Sequence, residues 1–245
     1  MTQSCGGLAP EVTSFPIDRI RHAIQPTGEA VAALDELNDA SSKASNVLSA
    51  ACPSEPPLTP LARLDAVETR LEAMRKAIQI VRPPLASLYD SLSDEQRQRL
   101  DAIATEENRH GRATATADTS GVDTLASLCG SQSESFTKLP LQRIEEVVKP
   151  TGPQQTALDQ LNQASAKAAD ELRTSCPART GEESPTTRLD AMNNRLDAMV
   201  QAVKTLRPTL GTFYASLSDE QKAQFNSMGQ QNATPQEDAT GGRQN

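Results

Sequence analysis

Four cysteines are the residues of this chain whose type and placement most directly imply chemistry: Cys5, Cys52, Cys129 and Cys176. Cys5, Pro16, Pro26 and Cys52 are matched by Cys129, Pro140, Pro150 and Cys176 at one constant offset, so the same cysteine pair is written twice. An even count with one pair per copy suggests two disulfides, Cys5 with Cys52 and Cys129 with Cys176. Each would tie an N-terminal segment to the end of a helix. Closing a loop of that size contributes about 4 kcal/mol in the chain-entropy picture. The competing reading is four reduced thiols in a cytosolic protein; the duplicated pairing favours disulfides, and with them an oxidising compartment. Zinc fits poorly, because no close Cys–Cys spacing occurs and the cysteines belong to different copies. The histidines, His22 and His110, have no counterparts in the other copy, and no Ser/His/Asp set, phosphate-binding loop or carboxylate pair can be argued. No catalytic residue, metal or cofactor is therefore expected, and Met74, Met192 and Met199 read as core filling.

The elements that carry these residues form a tandem repeat. Past the second cysteine the offset grows by one residue, and Arg63, Arg82 and Gln96 match Arg188, Arg207 and Gln221. The expected layout is a first repeat over 1–104, a linker over 105–128, a second repeat over 129–229 and a polar, disordered tail over 230–245. Each repeat is organised around a long helix. In the first, Leu64, Val67, Leu71, Met74, Ile78, Val81, Leu85, Leu88 and Leu92 recur at steps of three and four; in the second, Leu189, Met192, Leu196, Met199, Val203, Leu206, Leu210, Phe213 and Leu217 do the same. Thr59-Pro60 and Ser184-Pro185 supply an N-cap type followed by proline at the first helical position. Pro83, Pro84 and Pro208 fall inside these helices, yet the apolar phase continues across them. A continuous but kinked helix is expected rather than a break at Arg82.

Three further helices per repeat follow: a short one stopped by Pro26 or Pro150, a second opening at Thr27 or Thr151, and a fourth opening at Ser93 or Ser218. Nothing alternates with period two for long enough to be a strand. The expected fold is all-α: two tandem four-helix repeats, each with a long kinked third helix and one intra-repeat disulfide. The formal charge of −8 and an aromatic content of 2% argue against a nucleic-acid partner. No apolar run is long enough to cross a bilayer. Met1-Thr2-Gln3-Ser4-Cys5 lacks the basic start and apolar centre of a signal peptide. Either a cytosolic chain or a mature form without its leader is expected, and the cysteines favour the second.

Ser93-Asp94-Glu95-Gln96 and Ser218-Asp219-Glu220-Gln221 have the form of a capping box, in which the serine hydroxyl and the glutamine amide each satisfy one free backbone N–H. Thr151-Gly152-Pro153-Gln154 has the same form, whereas Thr27-Gly28-Glu29-Ala30 has lost its glutamine. With Leu92 and Leu217 in front, Leu-Ser-x-x-Gln at a helix start resembles the LTXXQ family of the Spy/CpxP group. The phrases Tyr89-Asp90-Ser91-Leu92 and Tyr214-Ala215-Ser216-Leu217, and the Cys52-Pro53 ending, resemble a branch of it from alphaproteobacteria. The resemblance covers both repeats. It implies a periplasmic, ATP-independent chaperone or envelope-stress protein, in which two helical units make a cradle for unfolded clients. Duplication suggests a single-chain version of that dimer.

Arg63, Arg70 and Arg82 match Arg188, Arg195 and Arg207 beside the apolar stripes. They are candidates for holding flexible polypeptide, against the alternative of ion pairs with neighbours such as Asp65 or Glu68. The function expected is non-enzymatic binding of unfolded or partner polypeptides. The alternatives are an envelope-stress or metal-responsive accessory protein and a structural component of a larger assembly. Thiol titration of the denatured, unreduced protein is expected to find no free cysteine; four free thiols would restore the cytosolic reading.

Overall fold

The computed structural model describes residues 15–115, 141–175 and 184–231. Among the described residues every regular element is helical: α1 (Ile17–Ile24), α2 (Glu29–Ala50), α3 (Pro60–Ser91), α4 (Asp94–Ala115), α5 (Leu141–Val148), α6 (Pro153–Thr174), α7 (Pro185–Ser216) and α8 (Asp219–Gln231). The second four repeat the first four.

The long helices start where the sequence places them. The Thr59 hydroxyl accepts from the Ala62 amide at 3.2 Å, and the Ser184 hydroxyl accepts from the Thr187 amide at 3.2 Å. Each helix is 32 residues long, or roughly 50 Å. Both run unbroken through their prolines, so no break occurs at Arg82. Pro83 and Pro208 are exposed, as are Gln79 and Lys204 one turn earlier. The Gln79 and Lys204 carbonyls, left without an N–H partner, therefore lie on the solvent side, where water satisfies them.

The second helices begin differently from expectation. The capping position is Gly28 in α2 and Gly152 in α6, not Thr27 or Thr151, and no side chain caps either end. Gly28 has φ +56° and Gly152 has φ +47°, backbone that residues with a Cβ rarely adopt. The tight turn from the first helix to the second requires it: Gln25 and Lys149 already stand left-handed, their amides bonded back to Arg21 and Glu145 at 3.0 Å. Helix α4 continues to Ala115, well into the stretch expected to connect the repeats. Ala, Glu and Arg sustain a helix there on propensity without an apolar face.

In each repeat the second helix lies along the third, and α3 also lies along α7. The α3–α7 contact is antiparallel: Asp65 near the start of α3 pairs with Arg207 near the end of α7, and Arg82 near the end of α3 pairs with Asp190 near the start of α7. The main core is shared. Leu34, Leu37, Ile78, Val81 and Leu88 from the first repeat are fully covered together with Leu189, Leu196, Val200 and Val203 from α7. A smaller core of Ile144, Val148, Leu158, Leu161, Phe213 and Leu217 closes the second repeat.

One stripe residue departs from the expected burial: Val67 is 43% exposed. The long helices outrun their hairpin partners. Arg195 of α7 bonds the carbonyl of Leu172 in the last turn of α6, so the preceding stretch of α7 projects past the end of α6. Val67 sits on the matching projection of α3. Because the main core is built from both repeats, Leu196→Ala is expected to cost about 2–5 kcal/mol. Denaturant unfolding should remain one transition shifted to lower concentration; separate transitions for the two halves would contradict the shared core.

Candidate functional site

Two features bring the sequence-singled residues together: a glutamine joint at each end of the molecule, and an arginine-lined seam between α3 and α7.

In the first repeat the Ser93 amide donates to Gln96 Oε1 at 2.9 Å, and the Gln96 amide donates to the Ser93 hydroxyl at 3.3 Å. Ser218 and Gln221 make the same two bonds at 2.9 and 3.3 Å. Each glutamine then does more than cap. Gln96 Nε2 donates to the Ile24 carbonyl at 2.7 Å, and Gln221 Nε2 donates to the Val148 carbonyl at 2.9 Å. One amide thus satisfies the start of the fourth helix and the C-terminal end of the first. Leu92 and Leu217, just before, are buried and anchor the turn. The Thr151 box forms only its return arm: the Thr151 amide donates to Gln154 Oε1 at 3.1 Å, while Gly152 takes the capping position.

Four of the six candidate arginines, Arg63, Arg82, Arg195 and Arg207, are engaged within the molecule. Arg207 grips Asp65 through two nitrogens, at 2.6 and 3.3 Å, and Arg82 grips Asp190 in the same two-pronged way, its longer arm 2.7 Å. Each arginine lowers its partner carboxylate's pKa by hydrogen bonding, against a smaller opposing effect of burial. Arg75–Asp197 and Lys204 with Glu68 and Glu72 extend the seam. Arg63 donates to the carbonyls of Pro57, Leu58 and, across the repeat boundary, Asn226, at 3.2, 3.1 and 3.2 Å. Arg195 is only 4% exposed; it donates to the Leu172 carbonyl and, at 2.8 Å, to the Ser175 hydroxyl, and burial pulls its pKa down. Arg70 and Arg188 are half-buried. The Arg188 charge acts on Tyr89, whose hydroxyl donates to Asp101 at 3.3 Å and whose pKa is raised first by burial and then by that carboxylate.

Cys52 is disulfide-bonded. Cys5, Cys129 and Cys176, and with them the expected intra-repeat pairings, lie outside the described residues. Among the described residues no group of three or more His, Cys, Asp or Glu is placed to hold a metal ion. No helix among them is long and apolar enough to cross a membrane.

The sequence alone did not reveal the commitment of the arginines across the repeat boundary. The available signal was the matched duplication of Asp65 and Arg82 as Asp190 and Arg207, which an antiparallel pairing of the long helices turns into two equivalent ion pairs.

The fold and the seam define an all-helical protein built from two equivalent units within one chain. The model of the LTXXQ motif family protein matches residues 12–104 and 136–229, and the chain belongs to that family, whose usual context is the Spy/CpxP group. No curated protein and no solved structure matches it.

The seam generates a pH dependence. Asp65 and Asp190 have depressed folded-state pKa values, so their contribution is present above the unfolded carboxylate range and is lost as the pH falls through the folded values. Both pairs are nearly half exposed, so the effect is modest. Thermal melts from pH 6 to pH 3 are expected to show a falling midpoint, and the D65N/D190N double variant should flatten that fall. An unchanged slope in the variant would remove the seam from the acid response.

Proposed function

We propose that the chain is a periplasmic, non-enzymatic holder of unfolded or partly folded polypeptide, acting without ATP. The observation that carries this reading is the packing of two LTXXQ units through α3 and α7 into one shared scaffold. It is the single-chain counterpart of a two-unit helical cradle. A holder of flexible chains needs a rigid frame and modest exposed apolar surface, so that clients are retained weakly and released unaided. Leu58 at 64% exposure, just before α3, and Val67 at 43%, early in α3, are the large apolar side chains that stand out to solvent among the described residues. Arg63, Arg82, Arg195 and Arg207 serve the frame, so at the seam a client would meet apolar and acidic surface more than basic surface.

Oxidation of the cysteines is part of the same proposal. Cys5 is taken as the partner of Cys52, and Cys129 as the partner of Cys176, which would staple each repeat and suit the periplasm. A stress-responsive accessory role in the envelope is compatible with the family but rests on no feature of the described residues.

The deciding experiment follows light scattering of a chemically denatured client diluted into buffer without ATP. Near-stoichiometric amounts of the full chain are expected to delay aggregation of several unrelated clients. No delay with any client would overturn the holding activity and leave the fold as described.

A further inference from the structure

The two ends of the molecule are built on one plan, yet they are fastened differently. At the end made by the second repeat, Gln154 and Gln221 exchange amide hydrogen bonds, at 2.9 and 3.1 Å. Gln154 Nε2 also donates to the Ser216 carbonyl at 2.8 Å, and its Oε1 accepts from the Thr151 amide. Gln221 Nε2 also donates to the Val148 carbonyl, and its Oε1 accepts from the Ser218 amide. Each side-chain amide thus uses both hydrogens and both lone pairs, the full capacity of the group. The pair bolts together the end of α5, the start of α6, the end of α7 and the start of α8.

At the other end the residue equivalent to Gln154 is Ala30, which is buried and carries no side-chain amide. Gln96 therefore caps α4 and reaches Ile24 but has no partner on α2. What replaces the bolt works on different elements. Arg99 donates to the Ala23 carbonyl at 3.3 Å and Arg19 pairs with Glu106, which joins α1 to α4. Arg97 donates to the Tyr89 and Asp90 carbonyls at 2.9 and 3.3 Å, which holds α4 to the last turn of α3. At both ends the short first helix packs mainly on the fourth helix rather than on the second, and an exposed contact links it to the second: Arg21 with Asp35 here, Gln155 with Glu145 at the other end. Exposed pairs of this kind contribute little.

We infer that α1 and α4 form a flap that swings as one body away from α2, and that the matching α5–α8 end stays closed. The pivots are the short turns at residues 25–28 and 92–93. Opening uncovers Ile20, Ile24, Leu100 and Ile103, which are buried in the shared core when the flap is closed. The apolar surface made available to other molecules is then concentrated at one end of a molecule whose two halves otherwise match.

Hydrogen exchange of the full chain, read by mass spectrometry on peptides, tests this without any client, so its outcome is separate from that of the holding assay. Peptides covering Ile17–Ile24 are expected to exchange about fivefold or more faster than peptides covering Leu141–Val148. Gln154→Ala is expected to speed exchange over Leu141–Val148 to nearly the rate of Ile17–Ile24, leaving the latter unchanged. Gln154→Leu keeps the bulk and removes only the amide, and should act the same way. Equal rates at the two ends of the parent protein, or no acceleration in either variant, would overturn the inference.

Discussion

Everything in this molecule hangs on the antiparallel contact between α3 and α7. A helix of 32 residues presents more apolar length than a partner of 22 can cover. In a separate repeat the projecting part of each long helix would stand in water. Laying the two long helices side by side covers most of both projections and completes the larger core with Leu189, Leu196, Val200 and Val203. The free energy comes from apolar burial, at about 25 cal/mol per Å². The Arg82–Asp190 and Arg207–Asp65 pairs add little of it, being nearly half exposed. Their part is to set direction and register, since a parallel or slipped arrangement would put like charges together or leave them unmatched.

The seam also decides what surface remains. In a chain of net charge −8, cations are the scarcer resource, and the structure spends them internally. Arg63 and Arg195 satisfy backbone carbonyls at helix and loop ends, and Arg82 and Arg207 align the repeats. Guanidinium groups suit both tasks, because their planar forks match carboxylates and reach several carbonyls at once. A chain built this way depends on apolar contact for any polypeptide it holds, with its acidity acting mainly on solubility and on which partners approach.

The Leu-Ser-x-x-Gln motif is a joint. Its leucine is buried in the turn, its serine and glutamine close the first turn of the fourth helix, and the second glutamine hydrogen reaches the C-terminal carbonyl end of the first helix. A shorter Asn amide would not span that distance. A charged Glu would lose the donor the carbonyl needs. Where a second glutamine is present the joint becomes a four-way bolt, and where alanine stands instead it stays a two-way hinge. The same motif can therefore yield ends of different firmness.

Much of the fold was legible in the sequence because it depends on local physics. The apolar steps of three and four, the Thr59-Pro60 and Ser184-Pro185 starts and the Ser-x-x-Gln boxes act within one or two helical turns, and the helices formed where those signals stand. The continuity of the apolar phase across Pro83, Pro84 and Pro208 was likewise a local fact, and at Pro83 and Pro208 the exposed Gln79 and Lys204 carbonyls tolerate a missing partner. The glycine start of the second helices was missed because Thr27 and Thr151 offered a competing cap, and the choice fell to the turn geometry with Gln25 and Lys149. The end of α4 at Ala115 has no apolar face to mark it in the sequence. The partners of the arginines, the shared core and the pairing of Gln154 with Gln221 were decided by tertiary structure alone. Each joins residues far apart in the chain, and no periodicity within one helix says which other helix it will meet.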